Sequence, residues 1–221
     1  MNSDEEFILV STGTWCISMN PFNPEPLTAA QLKKDCLAYM SIQQKPVKSS
    51  RLFLGHIHDV NVKRLNQLFG VDDSAYKQVA LQEDTIRSLY RKSEGKRIFF
   101  KEGVPADYLD KTVEKAGFGS FDEAYHQLII DLVDLTKESI DLIVENKDHT
   151  KNMYISGGFS KNPLFLKLMA SRFPDKKVYT SEVANATSLG AALVLWKGID
   201  QEFSPSIDLG LKPVDGDPSL L

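Results

Sequence analysis

The sequence predicts an α/β domain, a mixed sheet with flanking helices, and three observations carry that prediction. Apolar or alternating segments at 7–10, 15–19, 37–42 and 47–54 follow one another through short polar or proline-bearing connections, so hairpin-joined strands open the chain. Helical periodicity then dominates 59–97 and 121–146. From Met153 to Trp196 strand and helix alternate, each boundary marked by glycine, asparagine or proline.

Residues 1–6 are polar, and Phe7, Ile8, Leu9 and Val10 form the first strand. Ser11, Thr12, Gly13 and Thr14 make a hydroxyl-rich turn, after which Trp15, Ile17 and Met19 alternate with Cys16 and Ser18 on a returning strand. Such a tip presents backbone N–H groups and two hydroxyls in a small space, which suits a phosphate without a lysine. A plain hairpin turn uses the same residue types. Pro21, Pro24 and Pro26 keep the next loop out of any ladder, a polar stretch runs to Asp35, and residues 43–46 turn the third strand into the fourth.

Gly55, His56, Ile57, His58 and Asp59 read as a solvated or substrate-facing loop. Two histidines and a carboxylate are too few for a zinc site, and His126 and His149 lie far off in helical surroundings. Val62, Leu65, Leu68 and Phe69 mark a helix stopped by Gly70, a second helix is expected around Tyr76, and Ile98, Phe99 and Phe100 read as a short strand. Residues 101–119 are the least readable stretch, an insertion or a lid edge. Ser120 caps the longest helix, with acidic residues in its first turn and Leu128, Leu132, Leu135, Ile140 and Ile143 along one face. After Gly198 the prolines at 205, 213 and 218 suggest a loop and a frayed end.

The apolar run Met153, Tyr154, Ile155 ends on Ser156, Gly157 and Gly158, whose bare backbone can lie flat against a planar ligand. Ser160 and Lys161 lead to Asn162, a good N-cap, and Pro163, suited to the first helical position. Leu164, Phe165, Leu168, Met169 and Phe173 continue that helix to Pro174, a strand follows at 178–183, and Asn185 can cap a last helix. Ala186, Gly190, Ala191 and Ala192 would let this helix pack close to the sheet. A lone Gly-Gly pair is more often an ordinary tight turn than a ligand site.

The full series, however, closely resembles the adenosine motif of the FGGY family of carbohydrate kinases, in which a strand, two glycines, three residues, Asn and a helix precede a Glu-Ala-Thr-Ala-Leu-Gly-Ala-Ala type sequence. Asn185 stands where Glu is usual. The Thr12-Gly13-Thr14 hairpin resembles that family's second phosphate motif, and Trp15 after it resembles the rhamnulokinase and fuculokinase branch. This resemblance implies an actin-like ATPase (ribonuclease H-like) domain that uses ATP and Mg²⁺. It places Thr12, Gly13 and Thr14 at the β- and γ-phosphates, and Gly157, Gly158, Ser160 and Asn162 around the adenosine.

By the same resemblance residues 1–221 are the C-terminal nucleotide-binding domain of an enzyme that transfers the ATP γ-phosphate to a sugar hydroxyl. The general-base aspartate and an Asp-x-Gly-Thr loop belong to an N-terminal domain absent from this sequence, so no catalytic residue and no metal ligand is assigned here. That domain and a sugar are the implied partners, with a homodimer left open. The alternatives are a non-enzymatic actin-like module that responds to nucleotide, and a structural domain that has lost nucleotide binding, in keeping with Asn185.

With 42% hydrophobic residues the chain can bury a sizeable core without metal or disulfide staples, as one domain or two small ones. Lys and Arg total 26 against 30 Asp and Glu, and a net charge of −4 gives no general attraction to nucleic acid or an anionic membrane. Cys16 and Cys36 form no CxxC pair, no signal segment precedes them, and no apolar run approaches the ~20 residues that cross a bilayer. A soluble protein of a reducing compartment, the bacterial cytoplasm or cytosol, is expected.

Overall fold

A computed structural model describes residues 5–144, 148–181, 183, 186–199 and 207–221. Strands β1 (Phe7–Thr12) and β2 (Cys16–Asn20) form the expected antiparallel hairpin. β3 (Cys36–Met40) and β4 (Pro46–Leu52) form a second hairpin, and it is β4 that pairs with β2. β5 (Asn152–Gly157) lies parallel to β1, and β6 (Lys177–Thr180) parallel to β5. With β7 (Lys212–Val214) on β6, the mixed sheet runs β3-β4-β2-β1-β5-β6-β7.

Six α-helices accompany the sheet among the described residues: α1 (Ala29–Lys33), α2 (Leu54–Phe69), α3 (Glu83–Ser93), α4 (Phe121–Asp141), α5 (Pro163–Arg172) and α6 (Ala186–Ile199). The local stop and start signals act as expected. Gly70 ends α2 at φ 66°, the Ser120 side chain accepts from Glu123 N–H, and Asn162 with Pro163 opens α5. α4 is the centre of the core, buried on nearly every face rather than along one stripe, and Ala124, Leu128, Ile129 and Leu132 are fully enclosed.

Several expectations change, on β2 because a distant group decides the outcome. On β2 the buried residues are Cys16, Ser18 and Asn20, with Ile17 and Met19 only half-buried. The side-chain amides of Asn20 and Asn23 both donate to the Ile143 carbonyl, so this polar face serves the end of the α4 segment. α1 appears within the polar stretch, started by a Thr28–Gln31 capping box. Around Tyr76 there is a 3₁₀ turn, Ala75–Gln78, and the helix comes later, as α3.

Residues 98–100 are no strand. Asp131 accepts from the Ile98 and Phe99 N–H groups and Asp110 from that of Phe100, which removes the donors a ladder would need. The tail is not frayed: β7 joins the sheet, and a 3₁₀ turn, Pro218–Leu220, buries Leu220. α6 does not pack down through its small residues. Space is open around Gly190, and Leu193, Val194, Leu195 and Ile199 are exposed, an apolar surface that a helix keeps only when something else covers it. Asn185 lies outside the described residues.

Candidate functional site

The β1–β5 register pairs Thr12 with Gly157, so the hairpin tip and the double-glycine turn leave the sheet side by side. Thr12 itself belongs to the strand and is 2% exposed. Its hydroxyl donates to the Ser156 carbonyl at 2.5 Å and accepts from Phe159 N–H at 3.1 Å. Thr12 therefore ties the two turns together, and the residues of the tip that line the cavity beside it are Gly13 and Thr14. That cavity, of about 450 Å³, has the size of a small-ligand site.

Its second wall is Gly158, Phe159, Lys161 and Asn162. Gly157 and Gly158 differ in purpose. A Cβ at Gly157, where φ is +90°, would stand 1.8 Å from the Thr12 carbonyl oxygen, so this glycine is demanded by backbone contact. At Gly158 the nearest heavy atom to a Cβ is 3.9 Å away, and the open space there is cavity. Ser160 closes the turn by donating to the Gly157 carbonyl at 2.7 Å. Asn162 Oδ1 accepts from Phe165 N–H and its Nδ2 donates to the Tyr125 hydroxyl at 3.0 Å. Burial pushes the Tyr125 phenol well above its ordinary pKa, so it stays protonated.

The third wall comes from α2. Residues 55–59 lie in the first turns of α2, not in a loop. Gly55 N–H donates to the Thr14 carbonyl at 3.1 Å, and a Cβ on Gly55 would come within 2.4 Å of the Gly13 oxygen, so only glycine lets α2 seat on the tip. This brings His58 and Asp59 into the cavity, opposite Tyr76 and Lys77 of the 3₁₀ turn. Trp15 stacks on Phe53 at 4.4 Å and Phe53 on His56 at 4.5 Å, while Arg51 lies over the Trp15 ring, which steadies the tip from outside. Sequence reasoning missed Gly55, Tyr76, Lys77 and Tyr125. Gly55 carried a signal, a glycine at a strand-to-helix junction where a bare backbone invites close approach.

Gly13 N–H donates to the Trp15 carbonyl at 2.9 Å, so Thr14 with its hydroxyl is the residue of the tip that would meet phosphate oxygens; the bare Gly158 would suit a planar base, and the residues present fit a nucleotide. No group of three or more His, Cys, Asp or Glu is placed to hold a metal among the described residues. Mg²⁺ commonly arrives with phosphate oxygens and few protein ligands.

A mixed seven-stranded sheet with flanking helices and two glycine-bearing turns side by side is the fold of the actin-like ATPase domains. One family profile, described as carbohydrate kinase FGGY, C-terminal domain, matches residues 4–88. Another, described as FGGY family of carbohydrate kinases, C-terminal domain, matches residues 125–196. The chain belongs to the FGGY carbohydrate kinases, as a C-terminal domain.

Similar solved structures include a carbohydrate kinase from Novosphingobium aromaticivorans, at 20% identity and TM-score 0.64, covering 96% of this chain and 42% of that one. A xylulose kinase from Rhodospirillum rubrum matches at 11% identity and TM-score 0.69, over 98% of this chain and 43% of the other. A gluconate kinase from Lactobacillus acidophilus matches at 14% and 0.65, over 97% and 44%. The chain thus spans less than half the length of these structures, and at such identities the likeness is one of fold. No curated protein matches the sequence. The rhamnulokinase and fuculokinase branch suggested by Trp15 gains no support from these similarities. No helix among the described residues is long and apolar enough to cross a membrane.

Proposed function

We propose that residues 1–221 form the nucleotide-binding half of an ATP-dependent carbohydrate kinase, which transfers the γ-phosphate of ATP, with Mg²⁺, to a sugar hydroxyl. The observation that carries this reading is the Thr12–Gly157 register, which sets a phosphate-sized tip and a bare-backbone turn on one cavity. Thr14 takes the phosphates, Gly158 takes the base, and Thr12, Gly13, Gly157, Ser160 and Asn162 hold those contacts in place. An N-terminal domain supplies the general base and the opposing phosphate loop, since phosphoryl transfer needs both sides positioned together. The exposed apolar residues of α6 favour such a partner. Two free cysteines accord with the cytoplasm.

The test combines calorimetry with a coupled ADP-release assay. Expected are weak ATP binding by this chain and no sugar-dependent ADP release, with release appearing when an N-terminal domain of the family is added. Xylulose and gluconate, named in the descriptions of two of the similar structures, are the first acceptors to assay, with deoxy sugars beside them. Absence of nucleotide binding overturns the reading. So does sugar-dependent release by this chain alone that Thr14→Val abolishes.

A further inference from the structure

A second cavity, of about 540 Å³, lies between the C-terminal half of α3, the 98–118 segment and α4. Tyr125 borders the nucleotide cavity, whereas Gln127, about 200° further round α4, borders this one. Gln127 is 1% exposed, and its Nε2 donates to Asp131 Oδ1 at 2.9 Å. Its Oε1 is left buried without a hydrogen-bond partner among the described residues, a deficit that native cores seldom carry unless something fills it. Leu89, Ile98, Val113 and Phe118 supply apolar walls, and stacking on Phe99 at 6.2 Å holds the Phe118 ring. In the rest of the lining Lys92 and Lys101 balance Glu102 and Glu114, and Lys92 is already bridged to Glu123 at 2.7 Å.

The unfilled amide selects what enters. So little of Gln127 is exposed that only a group as small as a hydroxyl reaches it. A carboxylate or phosphate oxygen would face the Oε1 lone pairs, and an ammonium would give up its water for one neutral acceptor. A hydroxyl has neither fault: it donates to Oε1 as the amide stands. Burial raises the Asp131 pKa, and once a protonated Asp131 takes Oε1 for itself the same hydroxyl accepts from the turned Nε2. The balanced lining gives a net charge no advantage, and the apolar walls suit the C–H faces of a sugar or polyol. We propose that this cavity binds an uncharged polyhydroxy compound of monosaccharide size, one hydroxyl of which pairs with the Gln127 amide. The site is separate from the nucleotide cavity, and the inference does not rest on how that cavity is read.

Amide NMR spectra of this chain titrated with xylose, glucose and xylitol test it, with gluconate and glucosamine as charged controls. At least one uncharged probe should shift the Gln127 side-chain amide and the backbone amides of Val113 and Phe118 saturably, and neither control should bind as tightly. Gln127→Leu should weaken that binding about tenfold, the worth of one hydrogen bond. Ser93→Phe, which fills the cavity from α3 and leaves Gln127 and Asp131 as they are, should abolish it. No saturable shift with any of the three uncharged probes overturns the proposal, as does binding that survives Ser93→Phe. Tighter binding of gluconate or glucosamine overturns the ligand class, and shifts centred on Gly13, Thr14 and Gly158 would move the sugar to the other cavity and overturn the site.

Discussion

The backbone of Gly157 lies against the Thr12 carbonyl so closely that a Cβ would stand 1.8 Å from the oxygen. Across the same gap the Thr12 hydroxyl bridges the Ser156 carbonyl and the Phe159 N–H. The hairpin tip and the double-glycine turn are therefore one mechanical unit, although 144 residues separate Thr12 from Ser156. Two turns that move together keep a fixed distance between whatever they bind.

The two glycines should respond differently to the same substitution. Gly157→Ala meets both a left-handed φ and a backbone clash, and should cost ~3 kcal/mol or more, or prevent folding. Gly158→Ala should stay within ~1 kcal/mol of the unmodified chain, while Gly158→Val folds and no longer binds ADP. Urea unfolding and calorimetry measure these; a Gly157→Ala chain of unchanged stability would refute the close approach.

The two threonines divide in the same way. Thr12→Val is near-isosteric but strands the Ser156 carbonyl and the Phe159 N–H, so a loss of ~1–3 kcal/mol is expected. Thr14, exposed on the cavity, should tolerate valine with little change in stability and lose nucleotide affinity. Unfolding midpoints beside ADP titrations separate the effects, and the reverse pattern would assign the phosphate role to Thr12.

These contrasts mark what the chain reveals locally. Asn162 with Pro163, Ser120 and Gly70 act through their own backbone neighbours, and the structure uses each as its sequence context suggests. Ile98, Phe99 and the buried polar face of β2 depend instead on Asp131 and on Ile143, partners 32 to 123 positions away. At the site, Gly13, Thr14, Gly158 and Asn162 were legible because a turn or a cap needs those residue types. His58 and Asp59 were conspicuous as a pair, but their place became definite only once Gly55 seated α2 on the tip. Tyr125 carried no local sign at all, being one aromatic among many on a buried helix.

The C-terminal segment should prove structural. Leu220 is 1% exposed, Gly216 lies where a Cβ would meet the Ala170 backbone at 2.5 Å, and Asp217 N–H donates to the Ser171 hydroxyl. Leu220→Ala should cost ~2–5 kcal/mol, in the range of other buried leucine truncations. Equal urea midpoints for the two chains would restore the picture of a frayed end.

The last expectation concerns pH. Asp131 is fully buried within α4; its Oδ2 accepts from the Ile98 and Phe99 N–H groups at 3.0 and 2.7 Å, and its Oδ1 from Gln127 Nε2 at 2.9 Å. Burial nonetheless pushes its carboxyl up to about 8. Gln127 Oε1 is buried without a partner, and a protonated Asp131 could donate to it if the glutamine amide turned over. The unfolded carboxyl loses its proton near the ordinary value of about 4, so between there and about 8 the folded state binds more protons. Its contribution to stability therefore falls as pH rises through that window, by at most about 1.4 kcal/mol per pH unit. His126, whose pKa burial lowers, works the opposite way around its unfolded value of about 6.5, so the unmodified chain alone is not diagnostic. Asp131→Asn isolates the effect, because asparagine keeps an oxygen for Ile98 and Phe99, offers an N–H to Gln127, and never ionises. Urea unfolding from pH 5 to 8 should show this variant gaining steadily on the unmodified chain and exceeding it at pH 8. Parallel stability curves would mean that Asp131 is already ionised in the folded protein at pH 5.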